Sequence, residues 1–299
     1  MKLSLITWNI NFIHDNWIER LANINKILEK ETDTTDIIAI QEATLPFNNK
    51  IKELHTFLEK KNINYFDTSL MERNIVYKYV LEYFPKYKKY IFSSFEFLMN
   101  KCLWTCGYIF SSWGEYMKNL YFKYPYLCLV IGLVSFPIFF ITFCFVGLLT
   151  VVSKRIKTTV KSKYIGSRII QYFDFKYNKK DIRFVHVHLP PGNKEINGDK
   201  RLSDIKEIVD FCKVKKNVII AGDFNDTSSS KMYKHMIKNN YRSSFMEVNE
   251  KEEKTFPSKN PMKCIDFIMI KGDISVTKAF IFGDYEASDH KGIKVTLDI

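Results

Sequence analysis

Apolar runs that end in polar residues recur along this sequence, and they predict strands that carry polar side chains to the edge of a sheet. Residues 216–220 form such a run, and Gly222 lets the chain turn sharply behind it. Asp223 and Asn225 follow two residues apart, so their side chains share one face. A carboxylate and an amide at a strand end suit a hard cation and a phosphate oxygen, although such turns often only reverse the chain.

The first sixty residues repeat this pattern with helical segments between the strands. The predicted elements are strands over residues 3–9 and 36–40 and helices over residues 16–31 and 47–61. Asn9 ends the first strand, and Gln41 and Glu42 end the second. Alternating strands and helices predict a layered α/β domain, and open α/β sheets build their sites at strand ends.

Charge and cysteine content bear on the partner and the compartment. The 299 residues carry a net charge of +12, which suits nucleic acid, anionic membranes or phosphorylated substrates. A lysine-rich composition that only solvates the surface explains this charge equally well. We interpret the six cysteines as free thiols in a reducing compartment, because Cys102 and Cys106 lack a second pair for zinc. We expect no signal peptide at the N-terminus.

Two segments depart from the strand–helix pattern, and we predict that they are insertions into a single domain of residues 1–299. The first, residues 68–104, mixes aromatic residues with lysines. That mixture suits a membrane interface, single-stranded nucleic acid or packing on the domain itself. The second insertion, residues 115–165, contains residues 127–152, which carry no formal charge.

The uncharged segment favours membrane contact, since a soluble core helix of that length and apolarity is unusual. As one helix it would extend about 39 Å, more than a bilayer core of about 30 Å requires. Pro137 lies near its middle, where a helix kinks or turns. Candidate site residues both precede and follow the segment in the sequence. One domain must gather all of them, so both ends of the segment must lie on the same side of the membrane. We therefore predict a hairpin bent near residues 135–137, with the catalytic domain facing the cytosol; the alternative is a segment folded against the domain.

The second half of the chain adds polar residues at further predicted strand ends. His186 and His188 lie on one face of a predicted strand. Asp266 lies within an apolar strand and needs a partner, which His290, next to Asp289, offers. A metal held by a few protein oxygens beside a His–Asp pair describes Mg²⁺-assisted attack of water on a phosphoester.

Short motifs in a fixed order make this chain similar to the endonuclease/exonuclease/phosphatase superfamily. They are Thr7-Trp8-Asn9-Ile10, Gln41-Glu42, residues 107–112, His188-Leu189, Gly222-Asp223-Phe224-Asn225, Ile265-Asp266-Phe267 and Ser288-Asp289-His290. Several short motifs in the right order are far more specific than any one of them. The resemblance implies a four-layer α/β sandwich of two packed mixed sheets flanked by helices, and a metal-dependent phosphoric ester hydrolase.

The resemblance also implies a role for each matching residue. Glu42 would bind Mg²⁺, with Mn²⁺ as an alternative cation, and Asn9 and Asp289 would lie close to the metal or the phosphate. Asp266 would orient His290, which would act as general base or hold the attacking geometry. The other three residues would act on water and phosphate: Asp223 positions or activates water, Asn225 holds a phosphate oxygen, and His188 stabilises the phosphorane charge or assists the leaving group.

The substrate stays open at this point. The His188-Leu189-Pro190 motif is closer to sphingomyelinases, tyrosyl-DNA phosphodiesterases and deadenylase-like members than to abasic-site endonucleases. Cys264 stands where many members have an arginine that contacts an anion. Together with the apolar segment, these features predict a membrane-associated phosphodiesterase acting on a phospholipid headgroup; the alternatives are a membrane-anchored nuclease and an inactive membrane scaffold. The expected partners are membrane lipids and a phosphodiester substrate, and no feature requires a protein partner.

Overall fold

The computed structural model describes residues 2–11, 17–32, 35–44, 64–68, 146–153, 155–166, 168–192 and 194–299. The elements in these residues are, in chain order, β1 (Lys2–Asn9), α1 (Trp17–Thr32), β2 (Ile37–Thr44), β3 (Asn64–Thr68), β4 (Val146–Val152), β5 (Lys161–Ile165), β6 (Arg168–Tyr177), β7 (Lys180–His188), α2 (Lys194–Cys212), β8 (Asn217–Asp223), α3 (Lys231–Lys238), β9 (Arg242–Ser243), α4 (Ser244–Asn249), β10 (Asp266–Lys271), β11 (Ser275–Phe282) and β12 (Gly292–Asp298). The helix predicted over residues 47–61 and the strand motif at residues 107–112 lie outside the described residues.

The strands form two six-stranded sheets, and both sheets are mixed. The first has the order β11-β12-β1-β2-β4-β3, and the second has the order β5-β6-β7-β8-β10-β9. In the first sheet β1 runs parallel to β2 and antiparallel to β12. In the second, β8 runs parallel to β7 and antiparallel to β10. The predicted pair of mixed sheets is confirmed.

Three apolar cores hold four layers together. Between the sheets, Leu5 of β1 packs in one cluster with Phe184 of β7 and Ile219 of β8. On the outer face of the first sheet Trp8 shares a cluster with Leu28 of α1. The outer face of the second sheet is covered in the same way by Ile205 and Val209 of α2 and by Met232 and Met236 of α3. Because helices cover both outer faces, the central strands are buried on both sides, which explains their nearly continuous apolar runs.

The structure corrects the interpretation of the apolar segment at residues 127–152. Its last seven residues form β4, which lies between β2 and β3 in the first sheet. Leu149 and Val151 of this strand are buried with the residues that face α1, and Val152 is buried between the sheets. A strand covered on both faces is as free of charge as a membrane segment, so composition alone could not separate the two. The range predicted for the second insertion, residues 115–165, includes both β4 and β5.

Membrane association is left without structural support. Among the described residues no helix is both long enough and apolar enough to cross a bilayer. The remainder of the apolar segment, residues 127–145, lies outside the described residues, as does the predicted bend at 135–137. Membrane attachment and the cytosolic orientation stay predictions.

A buried polar cluster interrupts the apolar core between the sheets. At its centre is His186 of β7, whose side chain has no solvent exposure. The ring atom Nε2 lies 2.6 Å from Nε2 of Gln41, and Nδ1 lies 2.9 Å from Oγ1 of Thr150 and 3.2 Å from Oε1 of Gln171. Burial lowers the pKa of His186 to about 3, so the ring is neutral at physiological pH.

This neutral histidine makes the stability of the fold depend on pH. The folded pKa is depressed, so the contribution of His186 is present above its unfolded pKa of about 6.5 and is lost as the pH falls toward 3. One proton corresponds to about 1.4 kcal/mol per pH unit, so we expect a loss of about 2 kcal/mol between pH 7 and 5. Urea unfolding of the wild type and of His186→Gln at both pH values measures it. Parallel losses in the two proteins would contradict the prediction.

Candidate active site

The two sheets bring their strand ends together at one edge, and the site lies there. Asn9, at the end of β1, lies opposite Gln41 of β2, so Glu42 is the next residue along the neighbouring strand. Asp223 ends β8. The Asn9 amide donates to Oε1 of Glu42 at 3.1 Å and to Oδ2 of Asp223 at 3.0 Å, so one side chain links the two sheets.

Asp223 is the centre of this contact set. Its Oδ1 accepts the backbone N–H of Asn225 at 2.7 Å. Its Oδ2 accepts the side-chain amide of Asn225 at 3.2 Å. His188, which lies opposite Asp223 in the register of β7 and β8, has its Nε2 3.7 Å from Oδ2 of Asp223 and 3.7 Å from Oε1 of Glu42. Three polar side chains, from two strand ends and one turn, therefore surround a carboxylate that is almost fully buried.

The backbone at the site departs from regular strand geometry. Glu42 has φ of 55° and Asn225 has φ of 52°, both in the left-handed region that non-glycine residues rarely occupy. Gly222, with φ of 149°, passes so close to β7 that a Cβ atom would lie 1.8 Å from the Val187 carbonyl oxygen. Such conformations persist when the surrounding contacts hold them, and they are concentrated at functional sites.

Asp266 and His290 form a second, adjacent pair. Asp266 lies opposite Asp223 in the register of β10 and β8. Its Oδ2 is 2.9 Å from Nδ1 of His290. Burial alone would lower the pKa of His290, but attraction to Asp266, together with Asp223 and Asp289, outweighs it and raises the pKa to about 10. The imidazole is therefore a buried cation held by Asp266 at neutral pH.

The loop that carries Asp289 and His290 is bound to the end of β1 by two hydrogen bonds, and a third lies within the loop. The Trp8 indole N–H donates to the His290 carbonyl oxygen at 3.0 Å. The Ser288 hydroxyl donates to the Asn9 carbonyl oxygen at 2.7 Å and accepts the His290 backbone N–H at 3.1 Å. Residues from opposite ends of the chain thus share one rigid wall of the site.

Arg20 of α1 reinforces this wall from behind, and sequence patterns did not indicate it. Its guanidinium donates to the carbonyl oxygens of Ile10 at 2.6 Å, Asn11 at 2.8 Å and Ala287 at 3.1 Å. Burial lowers its pKa, and attraction to Asp289 opposes that shift. The fixed fork of the guanidinium can satisfy three carbonyls at once.

Replacing Arg20 by lysine is expected to lower turnover about tenfold or more, because small displacements of positioning groups cost that much or more. An ammonium group cannot occupy the three donor positions, so buried carbonyls would lose their partners at about 1–3 kcal/mol. Initial rates and thermal unfolding measure the two effects. The matched control is Arg183→Lys, in which the arginine binds Asp174 and the Phe211 carbonyl oxygen instead. Equal turnover in the two variants would contradict the role.

The electrostatics of the site combine buried acids with nearby cations. Burial raises the pKa of Asp223, and repulsion from Asp266 adds to that shift. Burial also raises the pKa of Glu42, which the Asn9 hydrogen bond partly opposes. Arg168, at the start of β6, is attracted to Glu42 and Asp223 as well as to Asp204. Arg168 therefore supplies a cation beside the site. The sequence did not indicate one there, because Cys264 stands where many family members have an arginine.

The donor set fits a divalent cation. Oδ1 of Asp289 is buried and has no hydrogen-bond partner among the described residues, and Oδ1 of Asp266 is in the same condition. Unpartnered buried carboxylate oxygens are costly unless a cation binds them, and hard cations prefer such oxygens. Asp223, Asp266 and His290 also place ligand atoms within 4.8 Å of one another, which is compact enough to hold a metal ion.

The structure thus places all eight predicted site residues at one edge of the sandwich. Five of them form one contact set: Asn9, Glu42, His188, Asp223 and Asn225. The other three, Asp266, Asp289 and His290, adjoin that set through the pairing of β8 with β10 and through their mutual attraction. Their individual roles stay predictions.

A domain of two packed mixed sheets with carboxylates, amides and a His–Asp pair at one edge is the architecture of a metal-dependent phosphoesterase. The chain belongs to the Endonuclease/Exonuclease/phosphatase family, whose sequence profile matches residues 6–290. It is therefore a metal-dependent phosphoric ester hydrolase, as the motifs predicted. No curated protein sequence matches the chain.

Solved structures with the same fold come from animals and bacteria. Humanized D. rerio TDP2 with 14 mutations has a TM-score of 0.62 at 11% identity, covering 100% of this chain and 99% of that one. An endonuclease/exonuclease/phosphatase from Bacteroides vulgatus has a TM-score of 0.61 at 14% identity, with the same coverage. D. rerio TDP2 complexed with a single-strand DNA product has a TM-score of 0.60 at 12% identity, again covering 100% and 99%. At these identities the likeness shows the fold.

Proposed function

We propose that this chain is a Mg²⁺-dependent phosphodiesterase that hydrolyses nucleic acid. One observation carries the proposal: the Asn9 amide joins Glu42 to Asp223, so a metal-binding acid and a water-activating acid face the same space. The His290–Asp266 pair lies beside them. Hydrolysis of a phosphodiester needs a cation at the phosphate, a base for water and a stabiliser of the developing charge.

The metal assignment follows from the charge beside each candidate set of ligands. Glu42, Asn9 and Asp289 would hold Mg²⁺, or Mn²⁺ in its place, and the ion would polarise the phosphate oxygens. The alternative set of Asp223, Asp266 and His290 suits a metal less well, because protonated His290 repels cations and occupies Oδ2 of Asp266. Asn9 and Glu42 offer neutral and anionic oxygens instead.

The remaining residues account for the proton and the charge. Asp223 is the candidate base, because burial raises its pKa toward the working pH, where proton transfer is most effective. The two hydrogen bonds from Asn225 fix the direction of its oxygens. His290, as an imidazolium, would stabilise charge on the pentacoordinate phosphorus; the sequence had left its role open between base and positioning group. His188 faces the same space and is the candidate partner of the leaving group.

Nucleic acid is the substrate class that the observations favour. The net charge of +12 suits a polyanion. A protein of the same fold, D. rerio TDP2, was crystallised with a single-strand DNA product. The phospholipid alternative depended on a long membrane segment, and β4 removes part of that segment from consideration.

Parallel assays on two substrates test the proposal. The purified full chain is incubated with a single-stranded DNA oligonucleotide and with sphingomyelin vesicles, each with Mg²⁺ or with EDTA. We expect Mg²⁺-dependent cleavage of the oligonucleotide and no release of phosphocholine, and His290→Ala is the inactive control. Phosphocholine release without cleavage of the oligonucleotide would contradict the substrate class and restore the phospholipid interpretation.

A further inference from the structure

We propose that His186 is a positioning residue that holds Glu42 in place through Gln41. The inference rests on the proposed function, because it gives the buried polar cluster between the sheets a role in holding the predicted metal ligand. The His186 ring contacts Gln41, Thr150 and Gln171. Gln41 immediately precedes Glu42, the predicted metal ligand.

Hydrogen-bond accounting assigns a direction to three links of this cluster that cross between the sheets. The Gln41 amide nitrogen lies 2.6 Å from Nε2 of His186 and can only donate, so Nε2 accepts. The ring proton is therefore on Nδ1, which donates to Oγ1 of Thr150 at 2.9 Å. The Thr150 hydroxyl in turn donates to Oε1 of Gln171. The chain of bonds crosses from one sheet to the other and fixes a single tautomer of His186.

The same cluster supports the unusual backbone of Glu42. A non-glycine residue in the left-handed region is unfavourable by itself and needs its neighbours to hold it. Gln41 supplies that support, since its amide nitrogen lies 3.0 Å from Oγ1 of Thr7 on β1 as well as 2.6 Å from His186 on the facing sheet. His188, on the same face of β7 as His186, then reaches to 3.7 Å from Oε1 of Glu42. His186 thus sets the separation of the two sheets where the site requires it.

Two substitutions of His186 separate this role from a structural one. The glutamine side chain reaches about as far as Nε2, so His186→Gln can keep the acceptor for Gln41. Asparagine is shorter and reaches only about as far as Nδ1. His186→Asn therefore keeps the hydrogen bond to Thr150 and loses the hydrogen bond to Gln41. A purely structural role would make the two variants equivalent, because each loses one buried hydrogen bond.

Direct binding of Mn²⁺ to the full chain, followed by electron paramagnetic resonance without substrate, tests the inference. We expect His186→Asn to raise the Mn²⁺ dissociation constant about 10–100-fold, the usual range when a residue that supports a metal ligand is lost. For His186→Gln we expect a dissociation constant near that of the wild type. If His186→Asn does not fold, Gln41→Met removes the same bond from its other end and is expected to give the same loss.

The outcomes are distinct. Equal dissociation constants for the wild type, His186→Asn and Gln41→Met would overturn the positioning role and leave the proposed function intact. Equal losses in His186→Asn and His186→Gln would overturn it as well. Absence of Mn²⁺ binding in the wild type would overturn the proposed function and this inference with it.

Discussion

His290→Ala and Asp266→Asn are each expected to lower kcat about 10²–10⁴-fold, and the double variant is expected to lose little more than either single one. The reason is the 2.9 Å contact between them, which makes the histidine a cation and fixes its direction. Once the acid is gone, burial favours the neutral ring, so much of the electrostatic contribution of His290 is already lost. Residues that act as a unit give non-additive effects.

Single-turnover rates of the three variants measure this coupling. His235→Ala is a suitable control, since His235 lies in the last turn of α3. Losses that multiply in the double variant would show that Asp266 and His290 perform separate tasks. The assignment of Asp266 and His290 to one functional ion pair would then be wrong.

Glu42→Gln is expected to weaken Mg²⁺ binding and to lower turnover about 10²-fold or more, as the loss of a preorganised charge at the reacting centre does. The amide keeps the size of the side chain and removes the anionic oxygen that attracts the cation. The glutamine oxygen can still accept from the Asn9 amide, which also bonds Asp223, so the variant chiefly removes the charge. Calorimetric titration with Mg²⁺ and steady-state rates measure the two effects.

A matched control for this variant exists within the chain. Glu252 is also largely buried with a raised pKa, but it accepts from Tyr233 and Ser243. Glu252→Gln is therefore expected to leave Mg²⁺ affinity unchanged. Equal Mg²⁺ affinities for Glu42→Gln and the wild type would exclude Glu42 as the main ligand.

Local sequence pattern was sufficient to predict which polar residues gather at one edge of the sheets, because strand ends are encoded locally. The runs before Asn9, Glu42 and Asp223 are apolar and short, and each ends in a polar residue that the fold delivers to the same edge. Local pattern gave a wrong interpretation of β4. A strand buried on both faces has no alternation of apolar and polar residues that would distinguish it from a membrane segment. Only its pairing partners in the sheet identify it.

The supporting residues could not be predicted from local pattern. Arg20 and Arg168 lie at ordinary helix and strand positions, and their roles depend on carbonyls and carboxylates that are distant in sequence. His186 was noted only as a neighbour of His188, because nothing in β7 shows that Gln41 lies opposite it on the facing sheet. Sequence periodicity tells which face a residue occupies, and tertiary packing decides what it meets there.

The most direct test of metal-dependent hydrolysis at this edge is cleavage of a labelled single-stranded DNA oligonucleotide by the purified full chain, first in EDTA and then with Mg²⁺ in excess. The account predicts no product in EDTA, product after Mg²⁺ is restored, and far less product from Glu42→Gln under the same conditions. Full hydrolysis in EDTA by the wild-type chain would contradict it.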